Sequence, residues 1–194
     1  MKSGNPNLDF KKILKFKKPM FKYKRRILFK KLDKEFTNIA KEIEELKMSK
    51  DFLQFILYTI SELFANVKEH SRAKIVSVQI KLNKDCLIRI EDKGIGLRKS
   101  YLLKKIFPKD DASAIEFALS GLSTKEPRER GFGLYTIRKF IEELQGKMII
   151  KTGKALATIE KSKIQFQSLL REKKGVGVQI ETKIKDVDFY KIIE

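Results

Sequence analysis

Leu87-Ile-Arg-Ile-Glu-Asp92-Lys-Gly94-Ile-Gly96-Leu97 is the stretch around which the chain is organised. Leu87–Glu91 alternates apolar and polar side chains, as a half-buried strand does. Asp92, Gly94 and Gly96 then end the strand in a tight turn. The two glycines let backbone approach a ligand closely and tolerate positive φ. The carboxylate can accept a hydrogen bond from an amino group, such as that of adenine. Taken alone, Asp-x-Gly-x-Gly is also what an ordinary turn looks like.

Outward from this turn, the pattern is that of helices against a sheet. On the N-terminal side, Lys74–Leu82 reads as a strand joined to Cys86–Glu91 through Asn83-Lys84-Asp85. Before it, Asp51 is placed to cap a helix running to about His70. That helix is apolar on more than one face and is expected to be buried. Asp33–Met48 carries Phe36, Ile39, Ala40, Ile43 and Leu46 at helical spacing, the mark of an amphipathic helix. Phe21–Lys24 alternates like a strand, and Pro19 breaks any helix there.

On the C-terminal side, Gly96–Arg130 is long for a connection and reads as a mobile lid, with a short helix near Ala112–Leu119. Phe132–Leu144 is an amphipathic helix that Gly146 ends. Strands are expected at Lys147–Lys151, Leu156–Glu160 and about Ile164–Leu169. A turn follows at Lys173–Gly177 and a last strand at Val178–Ile184. The whole predicts a two-layer α/β sandwich whose mixed, largely antiparallel sheet carries helices on one face.

The chain has 194 residues, 42% of them apolar, enough for a globular core. No apolar run reaches the roughly 18–20 residues of a membrane span, and lysines interrupt the N-terminal apolar residues of any signal peptide. A single cysteine, Cys86, rules out an internal disulfide. A cytoplasmic location is therefore expected. Lys and Arg outnumber Asp and Glu by 44 to 25, a formal charge of +19. Between Phe10 and Leu32 lie eleven Lys or Arg and no acidic residue. Residues 1–32 are read as a basic N-terminal segment, an added strand or a partner-binding arm, ahead of a domain at 33–194. Such a block suits nucleic acid, an anionic membrane or an acidic protein, or is simply a solvated basic surface.

Two further stretches carry polar groups where chemistry can use them. Glu62, Asn66 and His70 stand at i, i+4 and i+8, so they share one face of the buried helix. Polar side chains stacked on an apolar helix need partners. A bound ion with phosphates would supply them, and so would an internal hydrogen-bonded cluster. The Asn66 amide oxygen suits magnesium, which prefers oxygen ligands. Glu62 is the candidate catalytic residue, able to orient or deprotonate an attacking group. Arg130-Gly131-Phe132-Gly133-Leu134 opens the next helix, where backbone N–H groups and the positive helix end meet an anion.

In this order the three stretches resemble the GHKL superfamily of gyrase, large heat-shock chaperone, histidine kinase and mismatch-repair ATPases. Glu62-x-x-x-Asn66 with His70 resembles its Asn-bearing helix. Asp92-x-Gly94-x-Gly96 resembles its adenine-binding turn. Gly131-x-Gly133-Leu134 resembles its phosphate-binding turn, and Ser123-Thr124-Lys125 the polar segment before it in histidine kinases. Glu129 stands where that turn often begins with glycine. Val178 stands where the closing strand often has Thr, which leaves Asp92 as the main reader of the base.

The resemblance implies the Bergerat sandwich and Mg-ATP or ADP under a lid. It implies nucleotide contacts from Asn66, His70, Asp92, Gly94, Gly96, Thr124, Lys125, Arg130, Gly131, Phe132, Gly133 and Leu134, with Asn66 as metal ligand. The one histidine lies inside the motif, so no second one is left as phosphoacceptor. The resulting expectation is a stand-alone, kinase-like ATP-binding module that regulates a partner protein such as a transcription or signalling regulator. The alternative is an ATP-gated switch or ATPase without phosphotransfer, associated with nucleic acid through Phe10–Leu32. A homodimer is left open.

Overall fold

The computed structural model describes residues 21–121 and 133–193. Among these residues five strands form one sheet in the order β1-β2-β3-β5-β4. They are β1 (Phe21–Leu28), β2 (Ile75–Leu82), β3 (Asp85–Asp92), β4 (Lys147–Glu160) and β5 (Lys163–Lys183). Every pairing among the described residues is antiparallel, in keeping with the two-layer sandwich and largely antiparallel sheet expected from sequence. Short links at Asn83–Lys84 and Lys161–Ser162 allow this, since tight hairpins join only antiparallel neighbours.

Among the described residues six α-helices accompany the sheet: α1 (Leu32–Glu44), α2 (Lys50–Asn66), α3 (Leu97–Leu103), α4 (Asp111–Leu119), α5 (Gly133–Glu143) and α6 (Phe189–Ile193). The inward rows of the strands, Val76, Val78, Ile80 and Leu82 on β2 and Cys86, Ile88 and Ile90 on β3, are all buried. They pack with Phe52, Phe55 and Ile56 of α2 and Ile137, Phe140 and Ile141 of α5 in one apolar core. Phe189 of α6 stacks on Phe140, with ring centroids 5.2 Å apart. The other face of the sheet is polar, as one-sided antiparallel sheets are.

Several boundaries differ from the sequence expectation. Ser49, not Asp51, caps α2: its Oγ accepts from Phe52 N at 3.4 Å. Asp51 instead accepts from Phe189 N and ties α6 down. The helix does not run regularly to His70. After Asn66 it widens into a π turn, Val67–Ser71, closed by Arg72 in the left-handed region at φ 56°. Residues read as loop from Gly96 onward contain α3. Gln145, at φ 50°, makes the left-handed turn that ends α5. Gly146 donates to Ile141 O at 2.8 Å.

The four strands expected after α5 are two long ones, and Lys173–Gly177 is part of β5 rather than a separate turn. The chain bends within pairing, through register shifts at Thr152/Gly153 and Gly153/Ala155. Such bulges kink a strand without ending it. Gly153, at φ 52°, makes the bend, and a Cβ there would lie 2.1 Å from Asp111 Oδ2. That carboxylate accepts from Lys154 N at 2.9 Å, pinning the start of α4 to β4.

Candidate functional site

A cleft opens between the end of α2, the β3 turn and the start of α5. It is lined by Glu62, Asn66 and His70 from α2 and its π turn, by Asp92 and Gly96, and by Gly133 and Leu134 of α5. Three stretches far apart in sequence thus meet in one place. Thr124, Lys125, Arg130, Gly131 and Phe132 lie outside the described residues, as does most of the second half of the expected lid.

Asp92 sits at the last position of β3 and is buried. Its Oδ1 accepts from Ser71 Oγ at 2.6 Å and from Gly94 N at 2.6 Å. Its Oδ2 accepts from Val176 N at 3.2 Å. An ionised carboxylate offers about four lone-pair sites. Three are used, and one on Oδ2 remains beside the cleft. The carboxylate is thus fixed by three donors and still able to accept from one more amino group.

Gly94 lies behind that carboxylate rather than on the cleft wall. A Cβ there would come 1.8 Å from Ser71 O, so only glycine lets the turn pass the π turn. Ser71 O in turn accepts from Ile95 N at 2.8 Å. Gly96 has φ 78°, and Leu97 N donates to Thr152 Oγ1 at 3.2 Å. Gly175 also has positive φ, 72°, and a Cβ there would meet Asp92 Oδ1 at 2.4 Å. The irregular stretch of β5 therefore brings backbone onto Asp92.

At the opposite end of the cleft, a Cβ on Gly133 would lie 2.4 Å from Glu62 Oε2. Glycine lets the first turn of α5 close on that carboxylate, whose charge suits a positive helix end. The charge of Glu62 also helps raise the Tyr58 phenol above its ordinary value. Burial is the larger cause there, and a hydrogen bond with Thr136 pulls the other way. His70 Nε2 stands 3.5 Å from Glu69 Oε2. Asn66 Nδ2 is buried and has no hydrogen-bond partner among the described residues. An orphaned polar atom in a polar cleft marks a place where the protein expects something else to bind.

The orphaned atom is an N–H donor, so it fits an acceptor such as a phosphate oxygen; the amide's Oδ1 is the atom that could meet magnesium. Among the described residues no group of three His, Cys, Asp or Glu could hold a metal. A magnesium ion at Asn66 would take its other ligands from phosphates and water, as this ion commonly does.

Sequence reasoning missed Ser71, Val176, Ser100, Tyr101 and Ala118 on the cleft wall. Ser71 directly follows His70, but its contact with Asp92 needs the π turn, which no residue pattern announces. The α3 residues were hidden in the stretch read as lid, and the short helix expected near Ala112–Leu119, which is α4, was given no part in the cleft.

The family model for the "Histidine kinase-, DNA gyrase B-, and HSP90-like ATPase" matches residues 53–186. The chain is also similar to the chemotaxis protein CheA of Borreliella burgdorferi. The two are 28% identical over 167 residues, covering 72% of this chain and 19% of that protein. The chain thus spans about a fifth of that relative's length. No described helix is long and apolar enough to cross a membrane.

Proposed function

We propose a function from a fixed premise: the chain belongs to the histidine kinase-, DNA gyrase B- and HSP90-like ATPase family. The reading is an Mg-ATP-binding module that acts as a kinase-like regulator of a partner protein. The observation that carries it is Asp92, held by three donors with one acceptor site left beside the cleft. That site suits the amino group of adenine. Asn66 and the start of α5 stand where phosphates would follow, and the likeness to a chemotaxis protein supports a signalling setting. The single histidine, His70, lines the same cleft, so these 194 residues hold no separate histidine to receive a phosphoryl group.

The chain's own residues divide the work. Asp92 selects and orients the base. Asn66 meets the metal and phosphates, and bound magnesium would offset the charge on the transferring phosphoryl group. Glu62 is placed to orient a water or a partner hydroxyl, because phosphoryl transfer asks mostly for positioning.

Calorimetric titration with ATP, with and without magnesium, tests the reading. Wild type should bind ATP more tightly with magnesium. Asn66→Ala should lose that dependence while keeping its circular dichroism spectrum. No ATP binding in wild type, or unchanged magnesium dependence in the variant, would overturn the assignment. With γ-labelled ATP, Glu62→Ala should lower any turnover by about 10²–10⁴-fold and leave affinity nearly unchanged. Label released solely as inorganic phosphate, with or without a partner, would favour the ATPase or switch reading.

A further inference from the structure

The second polar surface of interest lies on the opposite face of the sheet, away from the cleft. There the outward residues of β1 are Lys22, Lys24 and Arg26, all exposed. Register places Lys22 directly opposite Lys81 of β2. Like charges facing each other across a strand pair are destabilising. None of these four cations pairs with a carboxylate among the described residues. On that face Asp85 pairs with Lys183 at 2.6 Å, Glu91 stands 3.9 Å from Lys173, and Glu181 accepts from Gln179 Nε2. By contrast Arg25, which points to the helical side, stands 3.7 Å from Glu35 and over the Tyr23 ring. The fold thus pairs the one cation of β1 that faces its helices and leaves the three outward ones open.

β1 is also the end of the sheet. Among the described residues no strand lies beyond it, and one edge of its backbone pairs with none of them. We propose that this edge binds an extended acidic segment of another protein, added as a sixth strand. Its alternate carboxylates would stand beside Lys22, Lys24 and Arg26. Alternate side chains in a strand recur about every 6.6–6.8 Å, the same spacing on both partners. Main-chain hydrogen bonds give such an added strand its affinity, and alternate side chains its specificity.

Charge selects the occupant. A second copy pairing β1 with β1 would repeat the same unpaired cations. Residues 1–20 carry six lysines against one aspartate, so they do not complement this face either. Nucleic acid is the less suitable polyanion. None of the outward positions on β1, β2 or β3 is aromatic, so the face offers bases no ring to stack on. This inference is independent of what the cleft binds.

The test uses the full chain and fluorescence anisotropy. One labelled ten-residue peptide has glutamate at alternate positions and valine between. A second has the same composition with its glutamates in one block. The alternating peptide should bind at least ten-fold more tightly. N-methylation of one alternate set of its backbone nitrogens should abolish binding, and methylation of the other set should not. Lys22→Glu with Lys24→Glu should weaken binding at least ten-fold. If that pair does not fold, Lys22→Gln with Lys24→Gln is read in the same way, with a several-fold loss expected. Four outcomes would overturn the proposal. They are no binding of the alternating peptide, equal binding of the two peptides, indifference to both methylations, and a ten-nucleotide oligothymidine binding as tightly as the alternating peptide.

Discussion

A single oxygen lone pair on Asp92 separates a structural carboxylate from a base reader. Replacing Asp92 with Asn turns one acceptor into a donor that faces N–H and O–H groups already aimed at it. The expected result is a loss of about 1.5–3 kcal/mol in ATP binding, the range for a hydrogen bond to a charged group. Calorimetry should show it, and equal affinity in both proteins would remove Asp92 from the site. Asp92, Asn66 and Glu62 were legible as residues of one cleft because motifs that are ambiguous singly occur together and in this order. Ser71 was not. Its hydroxyl reaches Asp92 because the helix inserts a wider turn just before it, and turn width is set by packing rather than by residue type.

Elements were legible wherever one period ran unbroken, and they blurred where backbone irregularity did the work. Helix α5 was found from Ile137, Phe140 and Ile141, yet its end was credited to the wrong residue. Gln145 bears the left-handed φ of 50°, while Gly146 is needed for space, since a Cβ there would lie 2.7 Å from Glu181 O. The two positions should therefore respond oppositely. Gln145→Gly should stabilise by up to about 1 kcal/mol, because side chains pay for left-handed backbone. Gly146→Ala should destabilise by about 1–3 kcal/mol, as forced overpacking does. Urea midpoints read both changes, and a Gly146→Ala variant as stable as wild type would contradict the contact with β5. Strands β4 and β5 were cut into pieces for a related reason: Gly153 and Gly175 look like turns in sequence but mark bends inside continuous pairing.

At the level of the whole molecule, the α/β sandwich followed from the alternation of β2 and β3 and the helices beside them. The strand order did not, because it depends on long-range pairing of β5 between β3 and β4. Cys86 reports on that whole. It lies fully buried in β3, between two neighbouring strands, and burial pushes its thiol up to about 12. Alkylation should therefore wait for global opening and run at least about 10³-fold slower than in the unfolded chain. Fast alkylation without denaturant would show that β3 opens locally. A raised value favours the neutral thiol, so its contribution to stability is complete below the ordinary thiol value of 9.0 and fades as pH climbs towards about 12. Cys86→Ala should show a flatter decline of stability over that alkaline range. The pin between Asp111 and the Gly153 bend has a mechanical meaning as well. Ala118, on the cleft wall, lies seven residues along α4 from the pin, about 10 Å by helical rise. Ile115 and Leu119 of the same helix are buried in the core, so the bend in the sheet and the wall of the cleft are joined through one packed element.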